Sequence, residues 1–181
     1  MKLCKQLLSL VLVIATGALT GCSTASKSAD MAGSVRSGLA QAGLKDVTAK
    51  HNQEKGVLTL GGHVPADNDK ERAESIARSF AGTQVVSNEI AVIPPGAESE
   101  AKKVNAALDR GIESNLEAAL VGEKLNDSVK YSVMNHVVTL TGDVNTSVTR
   151  DRAEKIAAGV LNVEQVVNEL QVRKQKATSR D

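Results

Sequence analysis

Hydrophobic positions along the chain fall into a pattern that is laid down twice. Residues 57–64 crowd Val57, Leu58, Leu60 and Val64 around Thr59, which reads as a strand rich in β-branched and aliphatic side chains. Pro65, Asp67 and Asn68 end it, and Asn68 with Glu71 has the spacing of a capping box, which predicts a helix start. Ala73, Ile76, Ala77 and Phe80 follow at i, i+3, i+4 and i+7 as one apolar face. Gly82 stops that helix, and residues 85–92 read as a last strand. A crossover through a helix makes this strand parallel to the one before it. Upstream, Met31, Val35, Leu39 and Ala42 mark another helix, with Ser28 or Asp30 to cap it and Gly43 to stop it. Gly33 and Gly38 weaken it by about 1 kcal/mol each relative to Ala. Residues 47–53 form a weaker strand, joined to 57–64 by a turn at Glu54-Lys55-Gly56.

The same succession returns at an offset of 80 positions without a gap. Val57, Thr59, Leu60, Gly62 and Val64 fall on Val137, Thr139, Leu140, Gly142 and Val144. Arg72, Ala73, Glu74, Ile76 and Ala77 fall on Arg152, Ala153, Glu154, Ile156 and Ala157. Val86, Asn88, Glu89 and Val92 fall on Val166, Asn168, Glu169 and Val172. The period exceeds the roughly 20–50 residues of a solenoid, so a domain is duplicated. In the second copy Ser99 is positioned to cap a longer helix, with Val104, Leu108, Ile112, Leu116 and Leu120 every fourth residue and Gly122 at its end. Val129, Tyr131 and Val133 alternate as a strand, Met134-Asn135-His136 turns, and 137–144 is the next strand. Ser147 is positioned to cap a helix whose face is Ala153, Ile156, Ala157 and Val160, and 163–172 closes the sheet.

The expected fold is therefore α+β: two tandem small domains, each helix–strand–strand–helix–strand, with two helices on one face of a three-stranded mixed sheet. The first spans residues 30–93 and the second 99–173. A linker at 94–98 contains Pro94-Pro95-Gly96, and 174–181 is a polar tail with Lys174, Lys176 and Arg180.

Composition narrows the chemistry. Phe80 and Tyr131 are the only aromatics, so the core is aliphatic and offers no platform for stacking bases or sugars. Basic and acidic residues number 22 and 21, a balance unsuited to tracking nucleic acid. His51, His63 and His136 align with Tyr131, Asp143 and Gly56, so no histidine recurs. No metal-ligand spacing, phosphate loop or Ser/His/acid set is present, and the sequence implies no cofactor, no metal and no catalytic residues. Gly62 and Gly142 read as structural, marking a bulge or a close backbone approach within the sheet. Arg72-Ala73-Glu74 and Arg152-Ala153-Glu154 read as solvated helix faces, and Asn88 and Asn168 as side chains bonded to backbone.

The N-terminus reads as an address. Residues 1–18 carry Lys2 and Lys5 before an apolar run that is shorter than the ~20 residues needed to span a bilayer. Leu19-Thr20-Gly21-Cys22 resembles the lipobox of bacterial lipoproteins. That resemblance implies a signal peptide over 1–21, cleavage before Cys22, and acylation of Cys22, with 22–29 as the acylated end and spacer. Several acyl chains anchor a soluble domain stably where one does not. Ser23, in place of Asp, implies the periplasmic side of the outer membrane by the same resemblance. Cleavage removes Lys2 and Lys5 from the 22 basic residues, leaving 20 against 21 acidic, and removes Cys4.

V-x-T-L-x-G-x-V, then R-A-E-x-I-A, then V-x-N-E-[IL]-x-V, occurring twice behind a lipobox, resembles the BON (bacterial OsmY and nodulation) domain family and its dual-BON outer-membrane lipoproteins. The resemblance implies a non-enzymatic envelope protein that binds membrane phospholipid and supports envelope integrity. Lipid would be met by the first helix of the second domain, where Lys102, Lys103 and Arg110 are the candidate contacts. An alternative implication is a periplasmic protein-interaction or chaperone-like module, with envelope proteins as partners and a role in envelope stress or osmotic response. Nucleic acid is not an expected partner.

Overall fold

A computed structural model describes residues 31–173. The leader, Cys22, the spacer, the caps expected at Ser28 or Asp30, and the tail lie outside the described residues. Helix α1 (Met31–Gln41) leads into β1 (Val47–Asn52) and β2 (Val57–Val64). Helix α2 (Asp67–Ala81) then crosses to β3 (Val85–Asn88) and the short β4 (Ala91–Val92). The second domain repeats this with α3 (Glu98–Gly122), β5 (Lys130–Met134), β6 (Val137–Thr141), β7 (Asp143–Val144), α4 (Ser147–Ala158), β8 (Gln165–Asn168) and β9 (Gln171–Val172).

The topology is the one the pattern predicts. β2 is central, antiparallel to β1 and parallel to β3, and β6 stands in the same way between β5 and β8. Alternation sorts the two faces. Val47, Ala49, Leu58 and Leu60 turn toward Val35, Leu39, Ala73 and Ala77 of the helices. Val133, Val138 and Leu140 do the same toward Ile112, Leu116, Leu120, Ala153 and Ala157.

Three expected continuous strands are interrupted. The last strand of each domain breaks at Glu89-Ile90 and Glu169-Leu170, where Ile90 and Leu170 leave the ladder to enter the core. The strand 137–144 breaks at Gly142. Gly62 has φ of +93°, and a Cβ there would lie 2.0 Å from the Asp46 carbonyl oxygen. Gly142 has φ of +120°, with Ser128 O at 2.4 Å from such an atom. Both glycines let the segment entering the first strand cross the second at close range.

The helix starts correct three expected caps. α2 is capped at Ala66 without a side-chain bond, because the extended chain leaving β2 already places Ala66 at φ −146°, ψ 155°. Asn68 thus falls inside the first turn and forms no capping box with Glu71. α3 starts after Ala97, so Ser99 is likewise internal. Thr146, not Ser147, caps α4, its hydroxyl accepting from Thr149 N. The stops hold for α1 and α2: Gly43 lies at φ +83° and Gly82 at +61°. α3 runs through Gly122 itself, and Lys124 takes the left-handed position at φ +57°.

Phe80 departs from the expected buried face, at 43% exposure. Its ring lies over Gly38 at the rim where α1 crosses α2. Val104 is also exposed, because α3 begins well before the core and its first buried residue is Ile112.

Candidate functional site

Polar residues retained in both copies bond back to the fold, with Arg72, Arg152 and Glu154 remaining exposed. Arg72 bonds the Ala42 carbonyl beyond α1, and Arg152 pairs with Glu123 at the end of α3. Each guanidinium thereby reaches the negative end of the preceding helix. Asn88 Nδ2 donates to Glu74 Oε2 at 2.9 Å, and Asn168 Nδ2 donates to Glu154 Oε2 at 2.9 Å. Their side-chain oxygens accept from Ile90 N and Leu170 N. The Asn therefore ties the strand break to the helix in each domain. Burial pushes the Glu74 carboxyl up, but hydrogen bonds from Asn88 and Arg78, with the charges of Arg78 and Lys70, outweigh it and hold it below the usual range. Glu74 and Glu154 thus hold the fold's strand breaks, where the sequence suggested only a solvated face.

A seam between the two domains joins residues common to both copies with residues found in one alone. Val57, Val137 and Val167 form a small buried cluster from the sheet faces that the helices leave bare. Around it, each hairpin turn reaches the other domain's strand break. Lys55 Nζ lies 2.6 Å from Glu169 Oε2, and Asn135, at the position equivalent to Lys55, donates to the Glu89 carbonyl at 2.8 Å. Lys70 on α2 pairs with Glu164 at 2.8 Å, and His136 Nδ1 lies 3.1 Å from the same carboxylate. Burial raises Glu164, but hydrogen bonds from Lys70 and His136 and their charges bring its pKa below the usual range. Burial pushes Glu89 up against the lowering effects of Ser87 and Lys50, and Glu169 adds to the rise.

Gln165 at the start of β8 makes the most specific contact. Its Nε2 donates to the Val86 carbonyl at 2.6 Å, and its Oε1 accepts from Asn88 N at 3.0 Å. Two clefts flank it. One of about 210 Å³ is lined by Lys70, Glu74, Arg78, Asn88, Val137 and Glu164, and one of about 430 Å³ by Arg78, Ala81, Gly82, Gln84, Val85 and Val86.

Helix α3 carries the candidate lipid contacts. At 25 residues it is about 37 Å long at 1.5 Å per residue. Asp109 accepts from the Asn135 and His136 amides, both at 2.9 Å, which fixes the helix against the β5–β6 turn. Lys102, Lys103 and Arg110 are all exposed. Lys103 and Arg110 are seven apart and share one face, with Lys102 roughly 100° away around the helix. Lys103 lies 4.0 Å from Glu100. Gly62 lies within β2, and Gly142 at the break between β6 and β7. Among the described residues, no three His, Cys, Asp or Glu side chains gather to hold a metal, and no helix is long and apolar enough to cross a membrane.

The duplicated frame, with its paired Arg, Glu and Asn, matches the BON domain model at residues 27–94 and again at 108–174. The chain belongs to the BON domain family. Osmotically-inducible protein Y of Escherichia coli (strain K12) is 31% identical over 130 residues, which is 71% of this chain and 62% of that relative. The chain therefore spans less than two thirds of that relative's length. Two solved structures of CdsD, a structural protein of the Type III secretion system of Chlamydia trachomatis, are 16% and 15% identical. They cover 80% of this chain and 92% and 98% of their own, with a TM-score of 0.35 each, a likeness too weak to bear on function.

Within this BON pair, sequence reading missed Gln165, Glu164, Asp109 and Asn135. Their signal lay in the comparison of copies. Gln165 replaces Val85, Glu164 replaces Gln84, and Asn135-His136 replaces Lys55-Gly56. Gln165 and His136 stand where the first copy has Val85 and Gly56, so their polar side chains have no role in the shared frame and are free to join the two domains.

Proposed function

We propose that this protein is a lipid-anchored envelope protein on the periplasmic side of the outer membrane, whose α3 meets phospholipid headgroups. The observation that carries the reading is the exposed first half of α3, which extends beyond the core and presents Lys102, Lys103 and Arg110. The Leu19-Thr20-Gly21-Cys22 run supplies the anchor, and tethering keeps weak headgroup contacts occupied by raising the local concentration. Likeness to Osmotically-inducible protein Y supports a role in osmotic stress, and BON membership favours binding over catalysis.

The test is co-sedimentation of the chain from Ser23 onward with anionic and zwitterionic vesicles at low salt. Anionic vesicles are expected to bind it, and a Lys102→Gln, Lys103→Gln, Arg110→Gln variant to lose about 1 kcal/mol per removed charge, roughly fivefold each. Equal, negligible binding to both vesicle types sinks the headgroup reading. In cells, Cys22→Ser is expected to abolish palmitate labelling and membrane fractionation, and retention of both would remove the anchor.

A further inference from the structure

One face of α3 has no partner within the chain. Ile112, Leu116 and Leu120 turn the buried side of the helix into the core. On the opposite side Val104, Ala107, Gly111, Ser114, Ala118 and Val121 are all exposed. Their spacing alternates three and four residues, the a and d positions of a heptad pattern, over about 26 Å of helix. The two valines are 48% and 52% exposed. None of the six is charged, whereas Lys103, Arg110 and Glu117 follow one flank at every seventh residue.

Nothing in the fold covers or requires this face. A Cβ on Gly111 would meet nothing within 4 Å, so no internal packing demands glycine at a place where it weakens the helix. In the first copy Gly38 stands at the position of Ala118, and the Phe80 ring lies over it, 3.1 Å from where a Cβ would stand. The second copy has Val160 in place of Phe80, and that side chain packs against its own core. Ala118 is left bare.

The exposed seam is complementary to itself when reversed. Turned antiparallel, α3 of a second copy sets Val104 against Val121, Ala107 against Ala118 and Gly111 against Ser114, and a two-fold axis repeats each layer. In that register Arg110 comes beside the second copy's Glu117, and Glu117 beside the second copy's Arg110. A parallel pairing brings the same flank to Leu108, Asn115 and Gly122 and satisfies none of its charges. Lys103 meets the second copy's Lys124 only at the solvated ends, where salt screens the pair.

We propose that the outer face of α3 is a self-association surface, on which two copies of this chain pair antiparallel about a two-fold axis between Gly111 and Ser114. Small side chains at the centre let the backbones approach closely, and the valines close both ends. One helix against one helix is a small interface, so its affinity in solution is weak. The pairing needs no lipid and is tested without it, so this proposal and the headgroup reading fail separately.

The chain from Ser23 onward carries neither Cys4 nor Cys22, which leaves a cysteine-free background. An equal mixture of Ala107→Cys and Ala118→Cys chains, oxidised with diamide, is expected to form the mixed disulfide dimer about tenfold faster, or more, than either chain alone forms its own. Like positions lie about 16 Å apart along the helix axis in this register. Sedimentation equilibrium of the unaltered chain, up to about 1 mM, is expected to show monomer and dimer in exchange. Gly111→Gln favours the helix but fills the centre with a long polar chain, and should weaken the dimer about tenfold or more. Arg110→Glu should weaken it about tenfold, and adding Glu117→Arg to that variant should restore it. A monomer at every concentration, equal disulfide rates in mixed and single samples, or no recovery in the double variant would each overturn the proposal.

Discussion

At the scale of the residue, Gly62 and Gly56 separate two uses of glycine. Gly56 sits at φ +65° with nothing within 4 Å of where a Cβ would stand, so its only demand is conformational. Gly62 combines φ +93° with a backbone oxygen 2.0 Å from that position. Gly56→Ala should cost about 1 kcal/mol, the left-handed penalty of an ordinary residue. Gly62→Ala should cost about 3 kcal/mol or more, since β1 must move away as well. Urea midpoints of the two variants check the ordering, and equal costs would show that close approach plays no part.

At the scale of the element, α3 is held in register by one carboxylate. Asn135 and His136 have φ of +46° and +68°, a turn that favours Asn or Gly at both positions. The Asp109 carboxylate accepts both of their amides and so fastens a strained turn to the helix. Hydrogen bonds to a charged group contribute about 1.5–3 kcal/mol, so Asp109→Ala is expected to lower stability by about 2 kcal/mol. Amide exchange at Asn135 and His136 should accelerate more than at Leu116. Uniform acceleration would indicate global destabilisation instead. The equivalent turn of the first domain carries Lys55-Gly56.

At the scale of the whole molecule, the seam rests on few apolar side chains and several ion pairs. Exposed or half-exposed pairs contribute about 0.2–1 kcal/mol each, and added salt shortens the screening length from about 8 Å at physiological strength to 3 Å at 1 M. Docking of the two domains is therefore expected to loosen with salt, read as a rise in radius of gyration and a shift of the Gln165 side-chain amide. Acid should act in the same direction. The Glu164 pKa is depressed in the folded state, so its contribution is present above the unfolded value of about 4.3 and is lost as pH falls through the folded value. Glu164→Gln should remove the acid response that sets in below about pH 4.3 while leaving each domain folded. An unchanged profile would move the response to another group.

The order of elements, the parallel crossover, the aliphatic core and the family were legible in the sequence, because periodicity and duplication report which face of each segment is buried. Val35, Leu39, Leu58, Leu60, Leu116 and Leu140 are buried as that periodicity requires. Helix caps were misplaced by one or two residues because any Ser, Thr, Asn or Asp near a start satisfies the pattern, while the chain direction out of the preceding strand selects the cap. The exposure of Lys102, Lys103 and Arg110 was readable from the helical period, and the chemistry of Gly62 and Gly142 from their recurrence. The strand breaks at Glu89 and Glu169 were not, since leaving the ladder depends on the depth of the core below Ile90 and Leu170. The seam depended still more on distance. Lys55 meets Glu169, and Gln165 meets β3, across separations of 114 and 79 residues. Local patterning by itself determined two copies of one small domain. Only the tertiary structure decided how the copies face each other, because that contact joins Val57, Val137 and Val167 and the polar side chains around them across separations that local periodicity does not report.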